Sequence, residues 1–384
     1  MTSPSLPTSL LDISGGRRRV AIVSGSYGAG HDAVAREVEE RLRLLGCPIT
    51  QYDVAELLPG RSGRLLKRAY YAQLRTVPAT WGATLSLSEP GRPLHRAAIG
   101  AFGLGAPRVS RAVAGADLVI ATHPFAALTL GRARDAGLLS APVVTYLTDA
   151  SVHSMWVHRG VDLHLAIHEV AARQARHWGG RTVTISPVVP TQPPTRPSTS
   201  GDPLAGIGVI GPRALVTGGS LGIGDLARTA RDIAGTGVMS PVVACGTNAG
   251  LARRLQRAGI AALSWRHDMP EVIDACQCVV QNAGGFTCLE ALSSGTPVLT
   301  YLPIPGHGIT NAAGLEQAGL VPWPRTPEDL RSALELALLV GGTPLVSEAP
   351  SVVDVLTRPD WRALAEPISD TAVQPESTSH ESVA

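Results

Sequence analysis

Apolar residues in this chain fall into short unbroken runs, separated by stretches in which they recur every three or four positions. The runs predict buried parallel strands, and the spaced stretches predict helices with one apolar face. Strands are expected at Arg17–Ser24, Pro48–Tyr52, Leu118–Ala121, Val143–Leu147, Leu163–Ile167 and Thr182–Ile185. A helix is expected over Asp32–Leu45, where Val34, Val38 and Leu42 share a face. Asp53 is positioned to cap the next helix. The pattern then stops: six prolines lie among Thr, Ser and Gly between Pro187 and Pro203, which reads as a linker. It restarts with strands at Ala214–Thr217, Pro241–Ala244, Ala262–Ser264, Cys278–Gln281 and Val298–Leu302. Alternation of this kind predicts the α/β class, built as two doubly wound parallel sheets. The expected division is a disordered stretch at 1–16, a domain at 17–190, a Pro-rich linker at 191–212, a second domain at 213–365 and a disordered tail at 366–384.

Composition narrows the function. A chain of 384 residues accommodates two such domains, and a net charge of +2 argues against a dedicated nucleic-acid binder. Five scattered cysteines, Cys47, Cys245, Cys276, Cys278 and Cys288, suit reduced thiols better than a disulfide framework or a zinc site. The first residues lack a basic start and an apolar core of the signal-peptide kind, and no run of 18 apolar residues occurs, so a cytoplasmic location is expected.

Glycine turns follow several of the expected strands. The first contains Gly25, Gly28 and Gly30 and ends on His31, where a neutral imidazole can take a proton from a hydroxyl. Its Gly-x-x-Gly-x-Gly spacing departs from the dinucleotide fingerprint. A second turn, Gly218 to Gly224, includes Gly219, Ser220 and Gly222 and suits a diphosphate; Gly246 and Asn248 end the following strand beside it. It lacks the Gly-Lys-Ser/Thr ending of a P-loop. A third pairs Gly284 with Gly285 at the start of a helix bearing Glu290, and a fourth leads to His307 and Asn311. Backbone N–H groups at a helix start beside a hydroxyl-accepting carboxylate fit a nucleotide-sugar. No Asp-x-Asp pair occurs, so no metal is expected and the phosphates are assigned to backbone and helix dipole. Asp149, His153, Trp156 and His123 lie just beyond strand ends in the first half, where they can orient an acceptor or serve as caps and core. Arg61 to Trp81 and Arg92 to Arg111 mix arginines with apolar and aromatic residues, a pattern that suits an anionic membrane surface or an ordinary amphipathic helix.

Taken in order, these motifs resemble the GT-B glycosyltransferases of the glycosyltransferase 28 group, in particular the branch of monogalactosyldiacylglycerol synthases and diacylglycerol glucosyltransferases, with MurG as a cousin. The resemblance rests on Gly28-Ala-Gly30-His31, on Thr148-Asp149 with His153 and Trp156 to Asp162, and on Gly284-Gly285-Phe286-Thr287 with Glu290. It implies two Rossmann-like domains facing a central cleft, the first binding the acceptor and the second a UDP-sugar. It further implies His31 as base, helped by Asp149, with Gly28, Gly30, His123, His153 and Trp156 around the acceptor. Glu290 would bind the ribose, and the segment holding His267 and Met269 would read the uracil. The family usually has Gln in place of His307, at a position facing the donor sugar. The implied activity is metal-independent, inverting transfer of galactose or glucose from a UDP-sugar, without a cofactor, to a lipid hydroxyl such as that of diacylglycerol. The implied location is the inner face of the cell membrane, bound peripherally. A transferase of soluble metabolites, a UDP-sugar 2-epimerase and a non-catalytic binding module are the alternatives.

Overall fold

A computed structural model describes residues 9–12, 17–76, 80–190 and 202–365. Six parallel strands form the first sheet: β1 (Val20–Ser24), β2 (Ile49–Asp53), β3 (Leu118–Ala121), β4 (Val143–Tyr146), β5 (Leu163–Ala166) and β6 (Thr182–Thr184). Five form the second: β7 (Arg213–Thr217), β8 (Ser240–Ala244), β9 (Ala261–Leu263), β10 (Cys278–Gln281) and β11 (Val298–Thr300). The strand orders are β2-β1-β3-β4-β5-β6 and β11-β10-β7-β8-β9, so each sheet reverses direction beside its own first strand. Ligands of open parallel sheets bind at that reversal, beyond the carboxyl ends of the strands.

The inner strands β1, β3, β4 and β5 are buried along their whole length because both faces of the sheet are covered, whereas the edge strand β2, Ile-Thr-Gln-Tyr-Asp, is partly exposed. Along β1, Val20 and Ile22 enter one core, and Ala21 and Val23 enter the opposite one. In β10, Cys278 and Val280 face one core while Val279 faces the other. Each strand therefore feeds two cores with period two. Register runs without interruption from β2 through β1 to β3, with Val20 opposite both Ile49 and Leu118.

Three expected boundaries are revised. Leu10 and Leu11, placed in the disordered segment 1–16, are buried at 3% and 1% exposure in a core of the first half, and the Leu11 N–H donates to Leu356 O at 2.8 Å. Ser/Pro/Thr-rich neighbours hid two leucines with a pocket to fill. The second domain does not own everything to 365: the helices Val352–Thr357 and Trp361–Leu364 return to the first half, where Val352, Val355, Leu356 and Trp361 complete that same core. Leu204, assigned to the linker, packs into the second half, and Asp202 pairs with Arg213 at 2.7 Å. The expected linker residues 191–201 and the tail 366–384 lie outside the described residues, as do 1–8 and 13–16.

Candidate active site

A cleft of about 510 Å³ lies between the two sheets and takes its walls from both halves. On the first wall, the helix Ala29–Leu44 begins just beyond β1, with Gly28 as an extended N-cap that supplies no side-chain bond. Gly28, Gly30 and His31 line the cleft, together with Asp149 beyond β4. His31 Nδ1 stands 2.9 Å from the carbonyl of Thr122 and 2.8 Å from the hydroxyl of Thr148. The ring meets His123 edge-on, with centroids 4.5 Å apart.

The second wall is built largely from backbone. Gly219, Ser220 and Gly246 line the cleft. A Cβ on Gly246, whose φ is +55°, would stand 2.3 Å from Ser220 O, so only glycine lets these two loops touch. Gln281 at the end of β10 organises the Gly284–Gly285 turn: its Oε1 accepts from the N–H of Ala283 at 2.7 Å and from that of Gly284. Asn282 Nδ2 donates to Ile223 O at 2.7 Å and ties that turn to the glycine loop. The helix Phe286–Ser294 then starts at Gly285 without a side-chain cap, and Gly285, Phe286 and Thr287 face the cleft. An uncapped helix start carries unsatisfied N–H groups and the positive end of the helix dipole. His267 and Met269 line the far end beside Trp265, and His307 lines it where the helix His307–Gln317 begins.

Two ionisable groups on this wall feel the opposite half. Burial pushes the Glu290 carboxyl up to about 7, Glu37 across the cleft adds to that, and Arg36 opposes it. The His307 imidazole is held below its ordinary range by burial; Asp149 pulls it up and His31 pushes it further down. The halves also touch directly. Asn311 Oδ1 accepts from the Ser151 N–H at 2.9 Å and from the Ser151 hydroxyl at 2.7 Å, while its Nδ2 donates to Ala283 O at 2.8 Å.

Several expected contacts are relocated by this geometry. Asn311, expected at the donor sugar, is 1% exposed and spent on the seam between the halves. Gly284 has its N–H occupied by Gln281, and a Cβ there would stand 3.0 Å from the Asn311 Cβ, so it shapes the turn and does not line the cleft. Gly222 and Asn248 line a neighbouring cavity of about 930 Å³, and Asn248 caps the helix Ala249–Arg257. His123 is buried, caps the helix Pro124–Asp135 through Phe125 N–H, and stacks on Tyr27. Burial keeps it well below the usual imidazole range, and the nearby His31 adds to this. His153 caps the short helix Ser154–Trp156 and lies off the cleft lining. Trp156, 1% exposed, donates its indole N–H to Asp149 Oδ2 at 3.0 Å, so it orients the carboxylate and does not face the cleft itself. Thr122, Gln281 and Ser151 were missed from sequence, and Thr148 was noted in its motif without a role. The signal available was a polar residue at or within a few positions of the end of an apolar strand.

The model of the monogalactosyldiacylglycerol (MGDG) synthase family matches residues 31–189, which hold His31, Thr148 and Asp149. The chain is similar to whole proteins as well. It is 27% identical over 239 residues to monogalactosyldiacylglycerol synthase 1 of Arabidopsis thaliana, covering 56% of this chain and 44% of that one. It is 25% identical over 337 residues to a processive diacylglycerol beta-glucosyltransferase of Bacillus mycoides, covering 78% and 80%. Among solved structures, Arabidopsis thaliana UGT89C1 complexed with UDP-L-rhamnose matches with a TM-score of 0.50 at 11% identity, over 84% of this chain and 92% of that one. MurG of Acinetobacter baumannii matches at 17% identity with a TM-score of 0.48, over 84% and 94%. The two facing parallel-sheet halves are the GT-B architecture. No described helix is long and apolar enough to cross a membrane.

The basic stretches divide. Arg61, Arg64, Leu65, Leu66 and Arg68 are exposed on the helix Ser62–Thr76 and the turn before it, but Tyr70 packs on Tyr27 and Tyr71 donates to Ser26 O at 2.6 Å. The side chains of Arg75 and Trp81 lie outside the described residues. In the second stretch Phe102 is buried and stacked on Phe125, while Leu104 is exposed.

Proposed function

We propose that this protein transfers galactose or glucose from a UDP-sugar to the hydroxyl of a membrane lipid, diacylglycerol, with inversion at the anomeric carbon. The observation that carries the reading is one cleft with an imidazole and a carboxylate, His31 and Asp149, on one wall, facing an uncapped helix start and Glu290 on the other. His31 takes the acceptor proton as the hydroxyl oxygen attacks the anomeric carbon from the face opposite the UDP. Charge that develops on the leaving diphosphate meets the N–H groups at Gly285 to Thr287 and the Gly219–Ser220 loop, with no metal bridge required. Glu290 accepts from the ribose hydroxyls, and the uracil lies against the Trp265–Met269 segment. His307, at the mouth of its helix, faces the hexose.

The lipid reading draws on the relatives named above and on the exposed Arg61, Arg64 and Arg68 beside Leu65 and Leu66. Such a face binds anionic headgroups while the cleft opens toward the bilayer, placing the protein peripherally on the cytoplasmic leaflet. The test is mass spectrometry of vesicles containing diacylglycerol and phosphatidylglycerol after incubation with UDP-galactose or UDP-glucose. A hexosyl-diacylglycerol of inverted anomeric configuration is the expected product. Sugar transfer to a soluble aglycone alone, or epimer formation from UDP-GlcNAc without any acceptor, would overturn the reading.

A further inference from the structure

We infer that Thr148 is a positioning residue for His31, and that the partner of the base is a backbone carbonyl and a hydroxyl in place of a carboxylate. The inference rests on the transfer reading above for its kinetic consequences. Its structural core stands on the geometry alone.

Nδ1 of His31 is 2.9 Å from Thr122 O and 2.8 Å from Thr148 Oγ1. A carbonyl oxygen can only accept, so a hydrogen bond to Thr122 requires the proton to reside on Nδ1. The neutral ring then bears its lone pair on Nε2, the form a general base needs. Thr148 cannot donate to a nitrogen that already holds a hydrogen, so its oxygen accepts a share of the same N–H. When Nε2 gains the proton of an acceptor hydroxyl, the positive charge spreads to Nδ1–H. Both oxygens then hold a charge-assisted bond.

Asp149, the carboxylate on the same wall, is engaged elsewhere. Asp149 Oδ2 accepts from Trp156 Nε1 at 3.0 Å, and the indole that holds it is buried. The threonines are well placed to be rigid. Thr122 follows β3 directly and donates its N–H to Val23 O at 3.1 Å; Thr148 comes two residues after β4, and both are under 8% exposed. Thr122 Oγ1 also donates to His31 O at 3.2 Å, fixing the backbone of the same residue it orients.

The experiment pairs a spectroscopic measurement with kinetics. Long-range 1H–15N correlation spectra of the imidazole-labelled protein report which ring nitrogen carries hydrogen, without substrate. His31 in the parent should be the Nδ1–H tautomer; Thr148→Val keeps the Thr122 carbonyl and so the tautomer, but should move the Nδ1–H proton resonance upfield as one acceptor is lost, with Thr148→Ser restoring the parent shift. In turnover assays Thr148→Val should lower kcat about 10–100-fold, the range of one bond to a charged group. The donor KM should be unchanged and the acid limb of the pH profile should move to lower pH, because the protonated ring loses an acceptor. Thr148→Ser should recover kcat to within about threefold. An Nε2–H tautomer in the parent, or an acid limb that moves in Asp149→Asn and not in Thr148→Val, overturns the inference. If the parent transfers no sugar to any acceptor, the transfer reading fails while the tautomer result still decides this one.

Discussion

The two walls of the cleft solve the same problem by opposite means. The first presents side chains: His31, held by two threonines just beyond strand ends, and Asp149, held by the Trp156 indole. The second presents mostly backbone, shaped by glycines and by amides that bind other amides, as Gln281 and Asn282 do. Nucleophile activation needs a group with a titratable lone pair, and peptide units have none in this range. A diphosphate needs several weak donors at fixed spacing, which a helix start and a glycine loop supply without the entropy of ordering long side chains. The first wall should therefore be sensitive to loss of a functional group, and the second to gain of a Cβ.

Substitutions can break that contrast, and the largest effect belongs to the first wall. His31→Ala should reduce kcat by about 10²–10⁴-fold in a UDP-release assay, with the Kd for UDP from calorimetry within about twofold of the parent. On the second wall, Gly246→Ala removes no functional group, yet it should lower stability by about 1–3 kcal/mol in urea unfolding and weaken UDP binding. The cause is the positive φ and the 2.3 Å approach to Ser220 O. Should His31→Ala weaken UDP binding as much as Gly246→Ala does, the two walls would not be separable.

Glu290, like His307, departs from this on the second wall, a side chain among backbone groups. Its carboxyl titrates higher in the folded chain than in the unfolded one. The folded state thus keeps the proton longer, and this contribution to stability is full below about pH 4.5 and lost as pH rises through about 7. Glu290→Gln should accordingly raise the Tm at pH 8, by an amount equivalent to roughly 1–3 kcal/mol, and leave it little changed at pH 4. The same variant should bind UDP about tenfold more weakly at pH 8. Calorimetric scans at the two pH values, with and without UDP, separate the effects. The smallest effect lies at the seam: Ser151→Ala removes one hydroxyl bond to Asn311 and should lower stability by about 1 kcal/mol in urea unfolding.

What was legible in the sequence follows from the range of the interactions concerned. The strands could be read because burial on both faces demands apolar runs, and the boundaries moved by only a few residues, as at β1 and β11. His31 and Glu290 could be read because each sits one turn or less into a helix that opens on a glycine turn. Thr148 was legible as part of a motif but its partnership with His31 was not, since only the fold brings it to a residue 117 positions earlier. Asn311 was misplaced for a related reason. Its spacing from His307 is local, but its partner Ser151 lies in the other half, 160 positions away. Leu10 and Leu11 escaped notice because the helices that bury them come from the far end of the chain.

That last arrangement bears on how such a protein can be inherited. With Leu10, Leu11 and Trp361 in one core, the first half is assembled from both extremities of the chain, and the second is an insertion within it. A gene cut after residue 190 would encode a first half whose sheet lacks the cover supplied by Val352 to Trp361. The second half is thus better exchanged as an internal cassette, roughly 202 to 345, than as a C-terminal fusion. A chimaera joined at those two points keeps the core of the first half whole, and recombination upstream of a single crossover does not.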